Sequence, residues 1–126
     1  MAIDWTVTFD ASNPKRLADF WALALGYVDE EGYDYEDGAS LVDPQGRGPA
    51  ISFLRVPEGK TVKNRCHLDV RPTTGMADPA HRDEVIRAKV ADLTAAGATV
   101  IRQAPIGDHI EWVVMADPEG NEFCVA

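Results

Sequence analysis

The sequence consists of two halves that repeat the same order of signals. An Asp-Pro-x-Gly turn occurs once in each half, at Asp43–Gly46 and again at Asp117–Gly120. Each turn follows a helix-like segment that stops at a glycine, Gly26 in the first half and Gly97 in the second. The spacing between the two glycines nearly equals the spacing between the two turns. A repeat at constant offset constrains the architecture more than any single motif does, so we expect a duplicated domain.

Module one begins with a pattern typical of a strand that has one buried face. Apolar and polar residues alternate over positions 4–10, with Trp5 on the apolar side. A capping segment at 12–14 then opens a helix. Two short strands within 27–42 and a further strand at 50–56 complete the order βαβββ. The apolar residues of the helix recur at the spacing of one helical face: Leu17, Phe20, Trp21, Ala24 and Leu25.

Module two repeats that order of elements. Alternation over 66–71 predicts a half-buried strand, and a helix is predicted between Asp78 and Gly97. Three more strands are predicted at 99–102, 110–116 and 122–125. The sequence therefore predicts an α+β fold made of two tandem βαβββ modules.

Length and composition indicate one compact domain. A chain of 126 residues with 45% hydrophobic content is long enough to form a single core. We therefore predict one domain that spans residues 1–126. Module one covers about 1–60 and module two about 61–126.

The charge balance excludes several classes of partner. A formal net charge of −9 repels nucleic acid and anionic membranes. The start of the chain has no basic region followed by an apolar run, and no segment approaches the roughly 20 apolar residues of a membrane span. Cys66 and Cys124 stand alone, without paired spacing, so we expect free thiols and a cytoplasmic protein.

Three segments, together with the duplicated order of elements, carry a family resemblance. They are residues 17–27, 62–69 and 117–124. The chain resembles the vicinal oxygen chelate superfamily, and within it the glyoxalase-like domains of the glyoxalase, bleomycin resistance and dioxygenase type. The resemblance implies that the modules form a curved mixed sheet around a central cleft, with the helices on the outer face. It also implies that the protein associates as a homodimer.

The resemblance implies a divalent metal held by the first and last strands of each module. Aligning the two halves in phase puts Thr6, Leu54, His67 and Cys124 at the four positions. Only His67 is an ordinary ligand for a hard or borderline ion, and Cys124 suits a softer one. Glu122 could replace Cys124 only by a register slip, and we expect the pleat to turn it to the opposite face. We therefore predict that the full metal centre is absent, and the sequence assigns no cofactor. A divalent metal, if one binds, would use His67 as a ligand.

Three side chains are the candidates for catalysis: His67, Asp69 and Cys124. Asp69 follows His67 by two residues and shares its strand face, where it could orient the imidazole or raise its basicity. Cys124 should point into the cleft and could be a nucleophile if His67 approaches it, whereas Cys66 should face the helices. The alternatives are a hydrogen-bonded cleft histidine, a solvated aspartate and an inert apolar cysteine. The candidates for ligand binding are Thr6, Thr8, Phe53, Trp112 and Glu122.

Three functions remain open on this sequence, each with a small-molecule ligand as partner. The first is a glyoxalase-like protein that binds or transforms a small organic molecule in the cleft without the full metal site. The second is a divalent-metal-dependent lyase or dioxygenase in which His67 is one ligand. The third is an antibiotic-sequestering protein of the resistance type, whose acidic surface would favour a cationic drug.

Overall fold

The computed structural model describes residues 1–126 and divides into two compact units, Met1–Gly59 and Lys60–Ala126. Each unit contains one helix and four strands in the order strand, helix, strand, strand, strand. The predicted α+β class and the predicted βαβββ order are thus confirmed in both units. Neither helix has the length and apolar character needed to cross a membrane.

The first unit is a four-stranded mixed sheet with one helix packed on it. Its strands lie in the order β1-β4-β3-β2, in which β1 and β4 are parallel and the other pairs are antiparallel. The elements are β1 (Val7–Ala11), α1 (Pro14–Leu25), β2 (Val28–Asp29), β3 (Gly38–Val42) and β4 (Ile51–Arg55).

Local sequence signals set both ends of α1. The Asn13 side chain accepts a hydrogen bond from the Arg16 amide at 3.2 Å, and Pro14 occupies the first helical position. Gly26 ends the helix in the left-handed region, at φ 71°. Between these ends Leu17, Phe20, Trp21 and Ala24 of the predicted apolar stripe are buried, whereas Leu25, in the last turn, is only partly buried.

The first core is aromatic. The Phe9 ring makes edge contacts with Trp21 and with Phe53, each at a centroid distance of 5.5 Å. Trp5 does not belong to this core, because β1 starts only at Val7 and the Trp5 side chain is exposed. The alternation over 4–10 predicted a strand that began too early.

The second unit repeats the architecture. Its strands lie in the order β5-β8-β7-β6, with β5 and β8 parallel and the remaining pairs antiparallel. The predicted strand at 66–71 is wrong in extent, because only two of its residues pair. The elements are β5 (Asp69–Val70), α2 (Pro79–Ala95), β6 (Thr99–Ile106), β7 (His109–Ala116) and β8 (Glu122–Val125).

The Asp83 carboxylate connects α2 to the sheet by a hydrogen bond. Asp83, almost fully buried, accepts a hydrogen bond from the Ile110 amide at 2.6 Å and another from Arg87 at 2.5 Å. His109 Nδ1 lies 4.0 Å from the same carboxylate. These contacts lower the pKa of Asp83, chiefly through the Arg87 hydrogen bond and then through the Ile110 amide.

The two Asp-Pro-x-Gly turns have the same construction. Gly46 and Gly120 adopt positive φ, 68° and 88°, and each donates its amide to the carbonyl of its turn aspartate at 2.9 Å. Asp43 caps the amides of Gln45, Arg47 and Gly48. Asp117 caps the amides of Glu119 and Asn121. The repeat seen in the sequence is therefore a repeat of hydrogen bonds.

Candidate functional site

The second sheet has one packed face and one face that carries the candidate residues. The side chains on the packed face are almost completely buried: Val70, Val113, Met115, Phe123 and Val125. Residues that alternate with them point the opposite way. On that side the pairing register aligns Asp69, Cys124, Val114 and Arg102 in one row across all four strands. We call this side of the sheet the site face.

The loop before β5 is fastened to β8, which carries His67 to the site face. The Cys124 amide donates to the Leu68 carbonyl at 3.0 Å. The Glu122 amide donates to the Asn64 side chain at 3.1 Å. His67 therefore lies beside β8 although it precedes the paired residues of β5.

The three residues that the sequence nominates for catalysis form one cluster. His67 Nε2 lies 3.4 Å from Asp69 Oδ1, with both side chains about half exposed. The potential ligand atoms of His67, Asp69 and Cys124 all lie within 4.8 Å of one another. Cys66 does not face the helices as expected; it is exposed, and both thiols are free.

The electrostatics of the cluster keep Cys124 protonated. Burial raises the pKa of the Cys124 thiol, and the charge of Asp69 and a hydrogen bond to it raise this pKa further. The Arg102 guanidinium acts in the opposite direction with a smaller effect. A thiol in this environment is a hydrogen-bond donor, and the environment does not produce the lowered pKa of an activated nucleophile.

Glu122 shares the site face with Cys124. Along β8, Phe123 and Val125 are buried while Glu122 and Cys124 are partly exposed, so these two point the same way. The expectation that the pleat would turn Glu122 to the opposite face is wrong, because residues two apart in a strand share a face. Lys63 Nζ contacts the Glu122 carboxylate at 2.5 Å, and this hydrogen bond is the main cause of its lowered pKa.

The ligand-binding candidates within the first unit lie in different environments. Thr8 is an exposed residue of β1, and Thr6 is exposed but precedes that strand. Phe53 is fully buried and packs on Phe9, so it belongs to the face of the first sheet that supports α1. The sequence placed Phe53 in the ligand-binding group; the structure places it in the core. Leu54, the next residue, is 38% exposed.

Trp112 and Arg102 extend the site face beyond the cluster. Trp112 lies two residues before Val114 on β7 and is 39% exposed. Arg102 on β6 was not identified from the sequence. Its place in the row depends on a register shift between Val100 and Arg102, which simple alternation does not predict. The strand pattern at 99–102 was the only sequence signal for it.

The cluster can be tested for its fit to a metal ion. Zinc bound at about 2.0–2.3 Å by tetrahedral ligands holds ligand atoms roughly 3.3–3.8 Å apart, and the 3.4 Å between His67 and Asp69 lies in this range. The cluster offers one nitrogen, one oxygen and one sulfur within 4.8 Å. This donor set suits a borderline ion such as zinc or cobalt better than an ion that prefers oxygen ligands. Metal binding would have to displace the Cys124 proton.

Comparison with known proteins identifies the kind of domain. The sequence model of a family described as a glyoxalase-like domain matches residues 6–126. No curated protein sequence matches the chain.

Solved structures show the same fold at low sequence identity. One is a glyoxalase/bleomycin resistance protein/dioxygenase family enzyme from Burkholderia phytofirmans, with 20% identity, TM-score 0.67, and coverage of 95% of this chain and 94% of that one. Another is the fosfomycin resistance protein FosX from Listeria monocytogenes, with 9% identity, TM-score 0.71, and coverage of 99% and 92%. A further FosX structure was solved with Mn(II) and 1S,2S-dihydroxypropylphosphonic acid; it is 8% identical, with TM-score 0.69 and coverage of 99% and 91%. At these identities the likeness shows a shared fold.

Proposed function

Because the chain belongs to the glyoxalase-like domain family, we propose that it binds or transforms a small organic molecule at the site face without the four-ligand metal centre of its superfamily. The clustering of His67, Asp69 and Cys124 carries this proposal. Polar groups that converge on one partly exposed patch are typical of sites that orient a small ligand.

The cluster suits a proton-transfer role for His67. Its Nε2 lies 3.4 Å from the Asp69 carboxylate, close enough for that carboxylate to orient the ring. With Nε2 beside Asp69, Nδ1 is the ring nitrogen left to accept a proton from a bound molecule. Cys124 contributes a neutral thiol to the same patch. The reaction class that fits best is proton transfer on a small carbonyl or hydroxyl compound, with Asp69 as the positioning residue.

A thermal-melt screen tests the binding step. The panel contains keto acids, catechols and glutathione adducts, and a ligand raises Tm because it binds only the folded chain. We expect His67→Gln to remove most of the stabilisation by a hit compound. His81→Gln, which changes an exposed histidine on α2, is the matched control and should retain it. Equal stabilisation of wild type and His67→Gln by every hit would contradict a site at this cluster.

A second candidate function is favoured by the same distances. His67, Asp69 and Cys124 would hold a zinc-like ion, and when bound the ion would polarise a substrate oxygen, as a metal-dependent lyase or dioxygenase requires. The chain's own part would be to hold the ion and to keep Glu122 engaged with Lys63 beside it.

Metal titration separates the two candidates. Melts with manganese, iron, cobalt, nickel and zinc, on protein without a histidine tag, show which ions stabilise the fold. Cobalt adds a second readout, because a cobalt–thiolate bond gives an ultraviolet charge-transfer band. The second candidate requires a band that is lost in Cys124→Ser and kept in Cys66→Ser. The absence of any ion-dependent stabilisation would favour the metal-free site.

Antibiotic sequestration is the third candidate. The net charge of −9 favours a cationic drug, and the structural neighbours include proteins named for bleomycin and fosfomycin resistance. Bleomycin, which is cationic, therefore belongs in the same melt screen, and the phosphonate anion fosfomycin is included as the drug of opposite charge. No stabilisation by either drug at high concentration would remove this candidate.

A further inference from the structure

The register of the second sheet puts a guanidinium on the same face as the cluster. Arg102 pairs with Val114, Val114 pairs with Cys124, and Cys124 pairs with Asp69 on the far strand. Adjacent strands lie about 4.8 Å apart, so the Arg102 and Cys124 backbones are separated by about 10 Å. An extended arginine side chain spans most of that distance, which lets the guanidinium lie over Val114 close to the cluster.

The Arg102 charge is not neutralised by a protein carboxylate. Lys63 is paired with Glu122 and Arg87 with Asp83, but the Arg102 side chain forms no ion pair or hydrogen bond. The register places Arg102 on the face that carries Cys124, and its positive charge acts to lower the pKa of that thiol. An exposed, unpaired guanidinium beside a ligand patch has its donors free for a ligand anion.

The part of the site face between Arg102 and the cluster is apolar. Val114 is buried in the middle of the row, and Trp112 lies on the same face of β7. The face therefore has a cation at one end, an apolar centre and a proton-transfer group at the other end. A molecule that satisfies all three has an anionic group, an apolar body and a polar end.

We propose that Arg102 is the specificity-determining residue of the site and selects organic anions, carboxylates or phosphonates, with an apolar body about the size of one ring. The inference rests on the proposed function of the site face. A guanidinium donates two parallel hydrogen bonds to such an anion, and this geometry separates it from a neutral isostere. The overall charge of −9 repels anions from the rest of the surface, so anion binding here requires a dedicated cation.

A matched pair of probe compounds tests the selection. 3-Phenylpropanoate and 3-phenylpropanamide have nearly the same shape and differ in charge. We expect the carboxylate to bind about tenfold or more tightly than the amide when titrated against backbone amide resonances of β6 to β8. The preference should weaken as salt is added.

Three variants test whether Arg102 causes the preference for the carboxylate over the amide. Arg102→Gln should abolish it and Arg102→Lys should retain part of it. Arg16→Gln, which changes an exposed arginine on α1, should leave it intact. Because the Arg102 side chain makes no hydrogen bond or ion pair, the resonances of Arg102→Gln should otherwise match those of the wild type.

The outcomes distinguish this inference from the proposed function. Equal affinity for the two probes, or a preference that survives in Arg102→Gln, overturns the inference while a ligand site at the face remains. If neither probe shifts the resonances near His67, selection of such anions is also overturned. The proposed function is then decided by the His67→Gln melts alone.

Discussion

Asp69 and Cys124 face each other across the parallel pairing of β5 and β8, and the Cys124 sulfur lies within 4.8 Å of an Asp69 carboxylate oxygen. Burial and the neighbouring negative charge both disfavour the thiolate, so the pKa of Cys124 is raised. The geometry that brings the two residues together thus makes the sulfur less reactive.

The alkylation rate of Cys124 checks this relationship. We expect iodoacetamide to modify Cys124 slowly near neutral pH and faster as the pH rises, because the thiolate is the reactive form. Asp69→Asn keeps the side-chain shape and removes the charge, so it should raise the rate several-fold at pH 8. The burial contribution remains, so the rate should stay below that of an unhindered thiol.

Alkylation is measured in a protein that has Cys124 as its only thiol. A Cys66→Ser protein leaves Cys124 as the only thiol, and mass spectrometry then follows one site. An unchanged rate in Asp69→Asn would show that the carboxylate does not hold the thiol in its protonated form.

Removing Lys63 should change the acid stability of the second unit. The Lys63 hydrogen bond is the main cause of the lowered pKa of Glu122. A carboxylate with a depressed folded-state pKa contributes stability above its unfolded pKa and loses it as pH falls through the folded value. We expect Lys63→Met to lower Tm by at most a few degrees at pH 7, because the pair is exposed and screened.

The difference between the wild type and Lys63→Met is the informative quantity. It should shrink as pH falls below the ordinary glutamate pKa of about 4.3, and it should shrink with added salt. Lys15→Met removes an exposed lysine of α1 and should show neither trend. A difference that stays constant from pH 7 to pH 3 would mean that Glu122 does not depend on Lys63.

Gly26 at the end of α1 and Gly59 after β4 form a matched pair of glycines. Gly26 has φ 71° and open space around its missing Cβ, so Gly26→Ala should cost about 1 kcal/mol of unfolding free energy through backbone conformation alone. Gly59 also has open space but no left-handed backbone, so Gly59→Ala should have nearly no effect. Urea denaturation measures both, and equal losses would rule out the conformational explanation.

Because of its contacts, substitution of Asp83 should lower Tm more than substitution of an ordinary surface aspartate. Asp83→Ala leaves the buried Ile110 amide without its acceptor and removes the partner of Arg87. We expect Tm to fall by several degrees. Asp92→Ala, an exposed position on the same helix, should change it little. Similar losses in both variants would assign the effect to helix propensity instead of the contact between α2 and β7.

The fold could be predicted from the sequence because its signals are local and occur twice. The Asn13 and Asp78 caps, the glycine at the end of α1 and the two aspartate turns each satisfy backbone groups within a few residues. Strand lengths were less predictable. β5 has only two paired residues, because pairing depends on β8, which lies far along the chain. The cleft predicted between the modules stays a prediction.

The site was only partly predictable, because it depends in part on pairing between strands that are far apart in the sequence. His67, Asp69 and Cys124 were identified because alternation within a strand gives the face of each residue. Arg102 was missed because a bulge at Ile101 sets its face, and a bulge leaves no alternation signal. Phe53 was assigned to the ligand side although its pairing with Phe9 puts both rings on the packed face.

Substitution at Phe53 and at Leu54 distinguishes the two faces of β4. Phe53→Ala removes a fully buried ring from contact with Phe9 and should cost about 3–5 kcal/mol of unfolding free energy. Leu54→Ala, at a 38% exposed position, should cost less than about 1 kcal/mol. If Phe53→Ala unfolds the chain, Phe53→Leu provides a milder variant whose loss should still exceed that of Leu54→Ala. A Phe53→Leu protein with wild-type stability but reduced ligand binding would return Phe53 to the ligand side, because a core residue affects binding only through the fold.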